Sequence, residues 1–193
     1  MSVSAAYDKW TTERRARLRD LDPTVLRLSG TTDERVQWSR VLMLAAEFQG
    51  FARDLHDEAG RVFVKEAARG NSLLEGVLVA RVGSGRSMDR GNAHPGNLGT
   101  DFLILGIPLW DALKAQAGRE TTLQLNSAAE HLNKARNAVA HSNLFEIKRM
   151  GIDADVVKDW SSRMDSLAKL MEHVVADHLV TLFGISNPWS AHG

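Results

Sequence analysis

Apolar residues return at helical spacing along most of the chain. The first long stripe is Trp38, Val41, Ala45, Phe48, Ala52 and Leu55, the i, i+3, i+4 pattern of a helix with one buried face. A second runs through Leu125, Ala128, Leu132, Ala135 and Val139. The longest comprises Val156, Trp160, Met164, Leu167, Met171, Val174 and Leu182. No stretch shows the strict alternation of a strand. The pattern predicts an all-α fold, a bundle of five to six helices, built as one domain over residues 1–193.

Punctuation divides that bundle. Residues 4–20 read as a short charged helix whose Arg14, Arg15, Arg17 and Arg19 form a solvated basic edge, interrupted by Asp22 and Pro23. Thr31 with Glu34 is a capping-box signature, and Gly60 is the expected stop of the helix it opens. A third helix is expected over 62–81, weakened at Gly70 and Asn71. The next 17 residues, 83–99, hold five glycines and a proline, which predicts an irregular loop. Helix returns over 101–116, with a break at Pro108. Ser127 with Glu130, or Thr121 with Gln124, offers a capping box for the helix ending near Asn143. Asp153 or Asp155 opens the last helix, and Gly184 and Pro188 stop it.

Composition removes several classes of function. Twenty-four Lys and Arg balance 24 Asp and Glu, so no overall basic field draws the chain to nucleic acid, and such binding must come from a local patch. The absence of cysteine excludes disulfides and thiolate metal sites. The start, Met1 to Asp8, has neither the basic residues nor the apolar core of a signal peptide. The longest apolar stretch, 102–110, is broken by Gly106 and Pro108 and falls short of the roughly 20 residues a membrane span needs. The expectation is a soluble, cytoplasmic protein without membrane contact.

The helix around residue 136 carries the candidate chemistry. Opposite its apolar stripe lie Asn126, Glu130, Asn133, Asn137 and His141. At about 100° per residue, Asn137 and His141 fall only about 40° apart. Arg136 lies about 140° from His141, but its long side chain can fold toward the same side. Ala138 and Ala140 leave room for another backbone or a substrate. This set suits metal-free cleavage of RNA. An imidazole titrating near neutrality can take a proton from a ribose 2′-hydroxyl or give one to the leaving 5′-oxygen. A guanidinium can hold the scissile phosphate with two hydrogen bonds. The Asn amide can either fix the imidazole tautomer or hold a phosphate oxygen.

Arg136-Asn137-Ala138-Val139-Ala140-His141 resembles the motif of the HEPN superfamily: Arg, a polar residue, a short spacer, then His. The likeness extends to 44–56, to 92–110 and to 176–189, which are similar to the RiboL-PSP-type HEPN branch. It covers most of the chain, although only the Arg-to-His motif is sharply specific. The resemblance implies a HEPN-like helical bundle and a homodimer that places two motifs in one cleft. It also implies endoribonuclease activity leaving a 2′,3′-cyclic phosphate and a 5′-hydroxyl, with no cofactor. A toxin or defence effector held in check by a protein inhibitor or antitoxin is the reading that follows. A non-catalytic HEPN module that binds a nucleotide or serves in assembly is the alternative.

Other residues carry weaker signals. Gln49, Arg53 and His56 make a polar stripe, read either as a solvated face or as support for the catalytic pair. Glu47 interrupts an apolar run and is a candidate partner for Arg136, or a surface residue. Arg86 and Arg90 are the expected phosphate contacts of a mobile 83–99 loop, and Asn133 a further polar neighbour of the motif. His141 could instead cap its helix, and His178 reads as a hydrogen-bonded core histidine. No Glu is followed three residues later by His, and His-Glu-x-x-His, Gly-x-Ser-x-Gly and the P-loop are missing, so the corresponding enzyme classes find no support.

Overall fold

The computed structural model describes residues 2–21 and 31–189, without the side chains of 31–33. The Asp22-Pro23 break and the Thr31 cap lie outside what it describes. Helix α1 covers residues 5–20 in three successive stretches, Ala5–Lys9, a wider π-helical turn Trp10–Arg14, and Arg15–Asp20. The amides at its start meet two carboxylates and the Ser4 side chain, whose Oγ accepts from Tyr7 N at 3.0 Å. Ser4 N donates to Glu172 at 2.8 Å, while Ala5 N and Ala6 N donate to Glu58 at 3.0 and 3.1 Å. Orphan amides at a helix start need such partners.

The π-helical turn brings both Trp10 and Arg14 inward, at 1% and 8% exposure. Trp10 meets Phe48 edge-on at 5.9 Å. Arg14 pairs with Glu47 and Asp54, both at 2.7 Å, and Arg17 takes the other oxygen of Glu47 at 2.6 Å. Arg15 pairs with Asp165. The expected solvated basic edge is therefore mostly an ion-paired seam. Gly50 makes the seam possible: a Cβ there would lie 2.8 Å from the Arg14 guanidinium carbon.

Helix α2, Thr31–Ala68, runs straight through Gly60. That glycine is not a stop. It is a notch, because a Cβ at Gly60 would sit 2.7 Å from Val82. The chain reverses at Arg69 and Gly70, both at positive φ, into α3, Ser72–Gly83, whose first amides are capped by Asn71. α3 leans on α2 through Val82, but Leu73, Val77 and Val79 stand in solvent.

The expected irregular loop holds two helical pieces, α4, Ser87–Arg90, and the start of α5, Pro95–Leu103. Pro95 opens α5 at its first position, and His94 Nδ1 accepts from Gly96 N, a cap that the glycine count concealed. Then follow α6, Leu109–Ala117, α7, Arg119–Ala140, α8, Leu144–Met150, and α9, Ala154–Phe183. Nine helices stand among the described residues where five to six were expected, with no strand. Neither expected capping box opens α7; it starts from Gly118, and Ser127 sits mid-helix, 3.2 Å from His131 Nδ1.

The core lies where α2, α7 and α9 pack together, with α1 and α6 closing it. The predicted stripes face it, except that Leu182 is exposed and Leu179 is the buried residue at that end of α9. No helix of the described residues is long and apolar enough to cross a membrane.

Two glutamates in this interior respond to pH in opposite directions. Hydrogen bonds from Arg17 and Arg14 hold Glu47 below the ordinary glutamate value against its desolvation. Its contribution is present above the unfolded pKa and is lost as pH falls through the folded one. Burial pushes Glu172 up, opposed by the two bonds from Ser4. A carboxyl with a raised folded pKa gains its proton preferentially in the folded chain, so stability rises as pH falls toward the ordinary glutamate value. Glu172→Gln should thus raise the melting temperature most at neutral pH, with the gap narrowing as pH falls toward 5. A variant less stable than wild type by the same margin at both pH values would contradict this account.

Candidate functional site

α7 exists because its apolar stripe is buried: Leu125, Ala128, Leu132 and Ala135 are all at most 5% exposed. That burial turns Asn137 and His141 outward, and both are exposed. Ala138 is packed inside its own chain, so only Ala140 offers the expected small exposed surface. Arg136 is half-buried and folds toward Asn137, its Nη1 donating to Asn137 Oδ1 at 3.1 Å. Asn92, from the segment between α4 and α5, donates its Nδ2 to the same oxygen at 2.9 Å.

His141 is the C-cap residue of α7. The helix ends in two reverse bonds, Ser142 N to Val139 O at 3.0 Å and Asn143 N to Ala138 O at 2.8 Å, the Schellman arrangement. It requires a left-handed residue after the cap, and Ser142 supplies it at φ 52°, where glycine is normally found. Asn143 then caps α8 through Glu146 N at 3.2 Å. The backbone beside His141 is thus fixed from both sides, while its imidazole has no hydrogen-bond partner among the described residues.

The segment before α5 is tied down by a set of polar side chains. The Asp101 carboxylate, fully buried, accepts Ser87 N at 2.7 Å and Met88 N at 2.8 Å. Gln49 Nε2 donates to the carbonyls of Met88 and Gly91 at 2.8 and 2.9 Å, and Arg53 also donates to Met88 O. Asn133 donates to Ala93 O at 3.1 Å and Ala129 O at 2.8 Å. Asn97 donates to Asn92 O at 2.8 Å.

The remaining sequence candidates take their places in this scaffold. His56 is 0% exposed, not a solvated residue, and bonds Asp101 O at 3.1 Å. A carbonyl can only accept, so Nε2 carries the proton, and Nδ1 is left buried without a partner. Burial lowers the pKa of this ring, opposed by the bond to Asp101. Arg53 pairs with Asp89 at 3.1 Å. Arg86 bonds Asp57 and, at 3.0 Å, Asp89, so its charge is already matched by two carboxylates. Arg90 is exposed and donates to Gly85 O at 2.8 Å. Glu47 serves Arg14 and Arg17, not Arg136. Asn133 is a buried tether rather than part of the open face. His178 is half-buried, with Nε2 unpartnered rather than hydrogen-bonded.

The structure therefore brings together Arg136, Asn137 and Asn92, with His141 one turn further along α7. Asn92 carried no signal of its own in the sequence, because its role depends on a contact with a residue 45 positions away. Comparisons with protein-family models, with curated proteins and with solved structures find no match to this chain.

The left-handed Ser142 offers a direct check on the geometry at the motif. A non-glycine residue in that region costs about 1–2 kcal/mol, partly offset by the greater unfolded-state freedom of glycine. Ser142→Gly should stabilise the protein by about 0.5–1 kcal/mol in urea unfolding. Destabilisation instead would mean that the end of α7 is built differently.

Proposed function

We propose that this protein is a metal-independent endoribonuclease whose site is Arg136, Asn137 and His141, working as a toxin or defence effector under the control of an inhibitor. The observation that carries the reading is the disposition of these three side chains. The guanidinium leans onto the Asn amide while the imidazole, one turn along, stands free in solvent on a rigid helix end. Resemblance of the motif to the HEPN superfamily supports the same chemistry.

In that chemistry His141 accepts the proton of a ribose 2′-hydroxyl as its oxygen attacks phosphorus. The bond to the 5′-oxygen breaks, and that oxygen leaves with a proton as a 5′-hydroxyl. The products are a 2′,3′-cyclic phosphate and a new 5′-end. Arg136 neutralises charge building on the phosphate oxygens. Arg, Asn and one imidazole form no ligand set for zinc or magnesium. A single imidazole per chain is sparse for a reaction needing both a base and an acid, and a homodimer with paired motifs supplies the second. A non-catalytic nucleotide-binding or assembly module is the second reading. It is favoured by His141 occupying a helix C-cap, where an imidazolium suits the carbonyl ends without any catalytic duty.

Purified protein incubated with total RNA in EDTA should cut it and leave cyclic phosphates. His141→Ala and Arg136→Ala should each lower the rate about 10²-fold or more. Both truncations remove exposed or half-exposed groups, so melting temperatures should move by no more than the equivalent of about 0.5 kcal/mol. Asn137→Ala should be milder. Cleavage that vanishes in EDTA and returns with magnesium would refute the mechanism. A large drop in the stability of His141→Ala would favour the second reading. Light scattering should show a dimer at micromolar concentration; a strict monomer in the presence of RNA would remove the source of the second imidazole.

A further inference from the structure

The hydrogen bonds around Asn137 fix which atom of its amide can face a ligand. Arg136 has only donors, so the Asn137 atom it touches at 3.1 Å must be the oxygen. Asn92 reaches that same oxygen at 2.9 Å, so the Asn92 atom must be its amide nitrogen. Each orientation follows from the fixed chemistry of the guanidinium. The two lone pairs of Asn137 Oδ1 are then both engaged. What remains on offer from Asn137 is its NH2 group, joined by the unused N–H groups of Arg136 and the second N–H of Asn92.

We infer that Asn92 is a third member of the site, and that Arg136, Asn137 and Asn92 form a donor array for a phosphate oxyanion, with Asn137 acting through its amide nitrogen. This deepens the reading of Arg136 and Asn137 as the phosphate-facing pair and rests on it. The array also decides between two roles for Asn137. As an acceptor it would hold an N–H of His141, but its oxygen is already taken twice. As a donor it faces an anion beside a guanidinium, where a hydrogen bond to a charged partner is stronger than a neutral one.

The segment carrying Asn92 is held in place by groups outside the array. Its own carbonyl accepts from Asn97, the next carbonyl accepts from Asn133, and the preceding one from Gln49. Since the Asn92 side chain bonds only to Asn137 among the described residues, its replacement leaves these anchors intact. Asn92 therefore positions the Asn137 amide and contributes a donor of its own.

The test uses the full chain, 15N-labelled and titrated with inorganic phosphate, with chloride at matched ionic strength as the control. The side-chain NH2 signals of Asn137, assigned by their loss in Asn137→Ala, should shift with phosphate and not with chloride. Asn92→Leu should weaken phosphate binding roughly threefold to tenfold with an unchanged melting temperature. Asn137→Asp keeps both acceptor bonds and removes the donor, so it should bind phosphate and cleave RNA less well than Asn137→Ala. If Asn137→Asp instead retained phosphate affinity and cleavage within threefold of wild type, the amide would act through its oxygen and the inference would fall. Unmoved Asn137 NH2 signals would overturn it equally. Phosphate binding of the expected kind without RNA cleavage would remove the nuclease reading while leaving the array standing. RNA cleavage with a tolerated Asn137→Asp would do the reverse.

Discussion

Asp101 is a carboxylate with no exposed surface, and the arrangement of residues 85–101 depends on what it accepts. Its two oxygens take the amides of Ser87 and Met88, and its backbone carbonyl takes the imidazole of His56. A buried charge without partners is costly, and one with several well-placed donors is not. One residue thereby joins α5 to the start of α4 and to the middle of α2. Between that junction's two ends the carbonyls of Gly91 and Ala93 are held by side chains of α2 and α7, and Asn92 between them is set opposite Asn137. The motif helix supplies two polar groups of the candidate array. The third is delivered by this tethered segment.

The same economy runs through the N-terminal half. Glu58 and Glu172 close the start of α1, and Glu47 with Asp54 receives Arg14 beneath it. Polar groups that look chemically interesting in the sequence are thus engaged as fastenings. Glu47, Arg53, His56, Arg86 and Asn133 all belong to this group. A residue locked between two partners has little freedom to receive a substrate, and breaking a buried pair leaves an uncompensated charge behind. Among the described candidates, Arg136, Asn137 and Asn92 keep free N–H groups and His141 a free imidazole, while Arg90 stands exposed apart from them with one bond to Gly85 O.

How much of this was legible in the sequence follows from the range of each interaction. The stripes of α2, α7 and α9 were readable because burial of one helical face leaves a periodic trace. So was the outward placement of Asn137 and His141, and so was the Gly184 stop, while the cap of the last helix is Asp153, one of the two positions the sequence offers. Gly60 was misread because a glycine that ends a helix and one that admits Val82 look alike in one dimension. The 83–99 segment was misread because its order comes from Gln49, Asp101 and Asn133, each distant in sequence, while its own composition favours turns. The arginines of α1 read as solvent-facing in sequence because nothing local announces that a π-helical turn rotates Arg14 inward. The Asn92 contact is of the same kind: local pattern fixes faces, and only the fold fixes which faces meet.

The exposure of the motif sets a physical condition on any catalysis there. Two unit charges 4 Å apart interact by about 1 kcal/mol in water but about 4 kcal/mol where the effective dielectric constant is near 20. A half-buried Arg136 open to solvent on its outer side would therefore give a transition state less help than removal of a charge-stabilising donor usually costs an enzyme. Rigidity at the site is already provided, by the Schellman end of α7 and by the tethers of Asn92. Exclusion of water is what the isolated chain lacks at Asn137 and His141. A covering surface, whether the bound RNA or a second copy of the chain, would strengthen every hydrogen bond of the array at once. In the proposed reaction a second copy would also bring a second imidazole. If the proposed cleavage is carried by a dimer, the same contact that brings the second site would also exclude water from the first, and a chain kept monomeric would retain its fold and its donor array with very little activity.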